Sequence, residues 1–135
     1  MVMIPEHGYL KKQISGKLQP IMEGWSGVDH LTMTAMYGIR IYTSGAQLQS
    51  HVDTMRTHVI SGIINVAQND MAEDWPLKIS DHEGTPHNIT MKPGDLVLYE
   101  SASCIHGRPY VMAGKEYANF FTHFKPVDES LWSLS

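Results

Sequence analysis

From Leu31 onward the chain is a succession of short runs rich in β-branched and aromatic residues, separated at close spacing by Gly, Pro, Asp and Ser. Such runs suit the pleated, half-buried surface of a sheet, and the residues between them supply turns. Residues 31–43 (LTMTAMYGIRIYT) read as a long strand that Ser44-Gly45 breaks, a second extended run carries His51 and Asp53, and 57–67 (THVISGIINVA) is apolar enough for a central strand. Asn69 to Glu73 reads as an exposed loop. Beyond it, 75–80 and 87–92 flank a hairpin-like connection at 81–85 in which Gly84 is available for a positive φ. Pro93-Gly94-Asp95 then turns into 96–101, and 103–108 and 116–125 complete the set. Eight or nine strands with no helix after residue 30 favour a sandwich or barrel, and a double-sheet jelly roll is the form that gathers distant strands around one pocket. In residues 1–30 the apolar patches are interrupted by Gly16, Pro20, Gly24 and Gly27, which predicts one or two short helices against the outside of a sheet.

A chain of 135 residues is expected to form a single domain, with 1–30 as a supporting segment and 31–126 as the β core. The net charge of −4 and the lack of any Lys/Arg cluster argue against nucleic acid as a partner, because that affinity comes from many basic contacts. Cys104 is the only cysteine, so no internal disulfide is possible, which suits a reducing compartment. The first residues lack the apolar run of a signal peptide, and nothing approaches the roughly 18 consecutive apolar residues of a membrane span. A cytoplasmic protein with no membrane partner is therefore expected. Asn88-Ile89-Thr90 matches a glycosylation triplet, which in such a compartment is a chance match.

The chemistry concentrates in His51-Val52-Asp53. In an extended segment, successive side chains alternate faces, so His51 and Asp53 project together while Val52 faces away. His106, just after the strand LVLYES, is placed where a jelly roll returns to the mouth of the same pocket. Two imidazoles and one carboxylate on one face of a metal leave half its coordination sphere open, the arrangement of non-haem Fe(II) oxygenases. Of the other six histidines, five have plainer readings. His7 and His30 read as surface residues, His82 and His87 lack the spacing and helical context of HExxH, and His123 reads as structural. His58 is open between lining the pocket and a core hydrogen-bonding role.

Taken in order, Tyr42, Gly45, His51 and Asp53, the strand RTHVISGIINV, the turn Lys92-Pro93-Gly94-Asp95 into LVLYES, and His106-Gly107-Arg108-Pro109 resemble the 2-oxoglutarate- and Fe(II)-dependent oxygenase superfamily. Within it the likeness is to the prolyl 4-hydroxylase-type proteins, and it runs from about Tyr37 to Pro126. The resemblance implies a double-stranded β-helix, a mainly β, cupin-like jelly roll. It also implies Fe(II) held by His51, Asp53 and His106, with 2-oxoglutarate and O2 as co-substrates. The co-substrate's distal carboxylate needs a cation in a dehydrated pocket. The family's usual position, nine or ten residues after the distal histidine, points to Lys115; Arg108, on the same strand face as His106, is the rival with a planar fork. HGRP stands where a longer histidine-to-proline spacing is usual, and Lys115 is the preferred of the two. Tyr42 is expected to donate its hydroxyl to the same carboxylate.

The activity implied is hydroxylation of a substrate carbon, peptidyl proline being one class, with release of succinate and carbon dioxide. A peptide and a small molecule both remain open as substrate. Arg56 and Thr57 fall at the expected rim, and Tyr99, Glu100 and Ser101 precede the distal histidine on the side a substrate would approach. The alternative is a non-catalytic jelly-roll module that binds a metal or a small acid, because fold does not fix function.

Overall fold

A computed structural model describes residues 2–3, 8–54, 58–128 and 130 of the chain. The elements are β1 (Val2–Met3), α1 (Gly8–Ser26), β2 (Leu31–Thr43), β3 (Leu48–His51), β4 (Ile60–Asn69), β5 (Leu77–Ser80), β6 (Pro86–Ile89), β7 (Leu96–Tyr99), β8 (His106–Arg108) and β9 (Glu116–Pro126). They form two antiparallel sheets, a larger one in the order β1-β2-β9-β4-β7 and a smaller one in the order β3-β8-β5-β6. This is the jelly roll expected from the strand spacing.

Strand β9 organises the larger sheet. It pairs with β2 from Leu31↔Pro126 to Thr43↔Glu116 and with β4 from Ile60↔Phe124 to Asn69↔Glu116, so both its edges are filled. A strand covered on both faces cannot carry the polar alternation of a solvent-facing one, and EYANFFTHFKP is buried along nearly all its length. The period of two still sorts its side chains. Phe124 packs outward with Ile60 and Leu31 beneath Leu18 and Met22 of α1, while Phe121 packs inward against the core between the sheets. The interior holds one cluster of Ile63, Leu77, Ile79, Met91, Tyr99 and Cys104 and another of Tyr42, Trp75, Met112 and Tyr117.

The amino-terminal segment differs from its expectation. Instead of one or two short helices there is one of 19 residues, which runs through Gly16, Pro20 and Gly24. Proline inside a helix removes one i→i−4 hydrogen bond and glycine weakens the helix intrinsically. Tertiary burial overrides both, since Leu18 and Met22 are buried against Leu31, Ile60 and Phe124. Its place on the outside of a sheet is as expected. None of the described helices is long and apolar enough to cross a membrane.

Candidate metal and co-substrate site

The two sheets enclose a cavity of about 280 Å³, and His51, Asp53 and His106 line it. His51 ends β3 and pairs directly with His106 on β8. Asp53 is not on the strand. Its amide donates to the carbonyl of Ser101 at 2.8 Å, so the chain has left the β3–β8 ladder by that point. The expectation that both ligands share a strand face is corrected in this respect, although the alternation persists: Val52 is 49% exposed and Asp53 turns in.

Asp53 Oδ1 lies 3.2 Å from His51 Nε2 and 3.5 Å from His106 Nε2. The tautomers follow from the other ring nitrogens. His51 Nδ1 is 2.8 Å from the Gln49 carbonyl and His106 Nδ1 is 2.9 Å from the Cys104 carbonyl. A carbonyl only accepts, so each Nδ1 carries a proton, which leaves each Nε2, on the side of the carboxylate, as the nitrogen that can ligate a metal. One ligand atom from each of the three residues falls within a 4.8 Å group, and backbone carbonyls orienting metal-binding imidazoles are the usual outer support. The donor set therefore fits a divalent metal such as Fe(II). Burial pushes the Asp53 carboxyl up, but a hydrogen bond from His106 and the positive charge that His106, His123 and His51 carry when protonated outweigh it and hold it below the usual carboxylate range.

Gly107 sets the approach of the two ligand strands. A Cβ there would meet Ser50 Cα at 2.8 Å and the Gln49 carbonyl carbon and oxygen at 2.9 Å, all of them backbone. Gly107→Ala is expected to push β3 off β8, moving both His51 and the Gln49 carbonyl that orients it. Metal affinity measured by titration should fall about tenfold or more. Unchanged affinity would show that β3 can yield without carrying His51 away.

The basic end of the cavity is occupied by Arg108, not Lys115. Arg108 is 1% exposed, donates from Nη1 to the Trp75 carbonyl at 2.7 Å, and lies between the rings of Trp75 and Tyr117, 4.8 and 5.0 Å from their centroids. With the Asn119 amide oriented to satisfy its neighbours, its oxygen accepts from Arg108 Nη2 at 3.2 Å. No carboxylate among the described residues forms an ion pair with this buried guanidinium. Tyr42 lines the same cavity with its ring edge-on to Trp75 at 5.0 Å, and its buried hydroxyl has no hydrogen-bond partner. A buried cation without an anion and a buried hydroxyl without an acceptor are both costly, and a carboxylate-bearing ligand would satisfy both. Lys115 is exposed in the turn before β9, its amide bonded to the Asn69 carbonyl at 3.1 Å, and it does not line the cavity.

The remaining lining residues sharpen the picture. His58 and His123 stack at 3.8 Å, with Tyr37 5.5 Å from His123. Both histidines line the cavity, as does Arg40, whose buried Nε has no hydrogen-bond partner. Arg40 went unread in the sequence, although its spacing of two from Tyr42 on β2 was a usable signal for a shared face. Tyr99 lines the cavity; Ser101 is fully buried and Glu100 is exposed against His82. Arg56 and Thr57 lie outside the described residues.

A hydrogen-bonded chain fixes His123. Ser101 Oγ donates to the His58 carbonyl at 2.9 Å, so Ser61 must donate to Ser101 across 2.5 Å, and His123 Nδ1 must donate to Ser61 across 2.6 Å. The chain fixes the tautomer of His123, and burial sets its pKa. Burial, helped by His58, His106 and Arg40 and opposed by Asp53, pushes it down to about 3 from 6.5. Below pH 6.5 the unfolded chain takes up a proton that the folded one refuses. Stability from this residue is full above that pH and is lost as pH falls toward 3. The melting temperature of metal-free protein should decline from pH 7 to pH 4 (about three units, a range in which carboxylates also begin to titrate), and His123→Gln should flatten the upper part of that decline. An unchanged slope would remove His123 from the account.

Two antiparallel sheets closing on one polar cavity give this chain the fold of the 2-oxoglutarate-type jelly-roll oxygenases. More particularly, it is similar to a prolyl-4-hydroxylase of Pseudomonas putida (TM-score 0.63, 18% identity, 82% of this chain and 61% of that one). It is also similar to a 2OG-Fe(II) oxygenase family oxidoreductase of Burkholderia pseudomallei (TM-score 0.70, 11% identity, 84% of this chain and 57% of that one). The chain thus spans about three-fifths of the length of these two structures. No family model matches the sequence, and no curated protein matches it.

Proposed function

We propose that the protein is a 2-oxoglutarate- and Fe(II)-dependent dioxygenase that hydroxylates a substrate carbon. The observation that carries this reading is the pairing of two unmet needs in one cavity. Two imidazole nitrogens and a carboxylate converge as metal donors do, and in the same cavity a buried arginine has no protein carboxylate among the described residues and a buried tyrosine hydroxyl has no protein acceptor. A metal alone would answer the first and a small acid alone the second. Together they ask for a metal and an acid side by side.

With both bound, the pair supplies oxygen activation coupled to conversion of 2-oxoglutarate to succinate and carbon dioxide. The chain's own part is placement. His51, Asp53 and His106 hold the metal on one face, Arg108 and Tyr42 hold and orient the distal carboxylate, and Trp75, Tyr117 and Phe121 exclude water around it. His51 is exposed while His106 is buried, so substrate would approach from the β3 side. That open approach admits an extended chain, which makes peptidyl proline the first class to test. Anaerobic Fe(II) with 2-oxoglutarate should give the weak visible charge-transfer band of the chelate, and admitting air with a substrate should release succinate. A colourless mixture would leave a binding module instead.

A further inference from the structure

A second group of metal-ligating side chains converges behind the loop that follows β7. His82 in the β5–β6 turn, Glu100 after β7 and Cys104 before β8 each offer one ligand atom, all within 4.8 Å of one another. His82 Nε2 lies 2.6 Å from Glu100 Oε2. By itself an exposed histidine–glutamate pair is a weak surface contact. Here a thiol from the same turn as Glu100 is brought to the same point, and that thiol belongs to the only cysteine of the chain.

The backbone builds this meeting. The Cys104 amide donates to the Glu100 carbonyl at 2.9 Å, which closes the turn between those two ligands, and the Ser80 amide donates to the Ile105 carbonyl at 2.8 Å, which ties the β5–β6 hairpin to the same loop. Cys104 is buried among Ile79, Leu77 and Tyr99, so its side chain is held by packing, while His82 and Glu100 are exposed and leave an entry path. One thiolate, one imidazole and one carboxylate with a position left for water is a donor set of tetrahedral Zn2+. We infer that His82, Glu100 and Cys104 form a second metal site, for Zn2+ or a cation of similar softness, separate from His51, Asp53 and His106.

Its place in the fold gives the site a consequence. The loop from Glu100 to Cys104 also supplies the Ser101 carbonyl that holds the Asp53 amide and the Cys104 carbonyl that orients His106. A cation there ties this loop to the β5–β6 turn and stiffens two outer supports of the first site.

Co2+ is the probe, because thiolate ligation gives a near-ultraviolet charge-transfer band. The first site contains no sulfur and the chain has one cysteine, so the band reports the second site alone. Titration of the full chain under reducing conditions should develop the band to saturation at one equivalent per second site. Cys104→Ser should abolish it. His82→Ala and Glu100→Ala, which alter exposed side chains and leave the core intact, should each weaken Co2+ binding about tenfold or more. The double variant His51→Ala, Asp53→Ala should keep the band whether or not the protein turns over 2-oxoglutarate. No band in the parent protein, unchanged affinity in either exposed-residue variant, or loss of the band in the double variant would overturn the assignment.

Discussion

Asp53→Ala abolishes metal-dependent succinate formation and lowers metal affinity more than about a hundredfold, the upper range for loss of an outer support and the lower bound for loss of a ligand. The expectation rests on charge. Asp53 is the only anion facing His51 Nε2 and His106 Nε2 among the described residues, and without it two neutral imidazoles remain to hold a divalent cation. The fold should survive the change, because what Asp53 gives the backbone is its amide hydrogen bond to Ser101, which alanine retains. Metal content by elemental analysis, succinate release and the melting temperature of the metal-free protein separate these effects. Asp53→Asn, which keeps shape and loses charge, should resemble Asp53→Ala. Full turnover by either would remove the metal site from the mechanism.

How far the sequence could be read depended on whether a residue's role was local. β2 was legible from Leu31 to Thr43 because thirteen β-rich residues end at a Ser-Gly break. The turns at Gly84 and Gly94 were legible because glycine admits a positive φ without strain, and they adopt 86° and 94°. The convergence of His51, Asp53 and His106 followed from alternation and from where a jelly roll returns. The long helix was not legible, since Gly16, Pro20 and Gly24 argue locally against it and the argument for it, Met22 under Phe124, comes from a strand a hundred residues away. His123 was hidden for a related reason. The period of two puts Asn119, Phe121 and His123 on one face of β9, but only the packing of β4 and α1 decides which face looks into the cavity. Counting from His106 to Lys115 assumes a continuous register, whereas the chain between β8 and β9 loops outward past Tyr110 and Val111, which are 40% and 59% exposed, so that Arg108 and not Lys115 lines the cavity.

That difference makes the last expected result a sharp one. Arg108→Gln raises the KM for 2-oxoglutarate about a hundredfold or more, and Lys115→Ala leaves it unchanged. Loss of a charge-assisted contact in a dehydrated site costs about 3 kcal/mol or more, which is about two powers of ten in affinity. Arg108 is buried among Trp75, Tyr117 and Asn119 and has no carboxylate of its own, whereas a charge at exposed Lys115 would be screened by water. Arg108 also braces the core through the Trp75 carbonyl and two aromatic faces, so a loss of activity alone would be ambiguous. Arg108→Lys resolves this. It keeps the charge and shortens the reach, and it should restore part of the 2-oxoglutarate affinity without restoring the stacking on Trp75. Tyr42→Phe adds a second handle, because its hydroxyl has no partner within the protein and its removal costs the fold nothing. A raised KM for 2-oxoglutarate with an unchanged melting temperature in Tyr42→Phe, together with partial rescue by Arg108→Lys, would locate the distal carboxylate between these two side chains. An effect of Lys115→Ala equal to that of Arg108→Gln would place it at the turn before β9 instead.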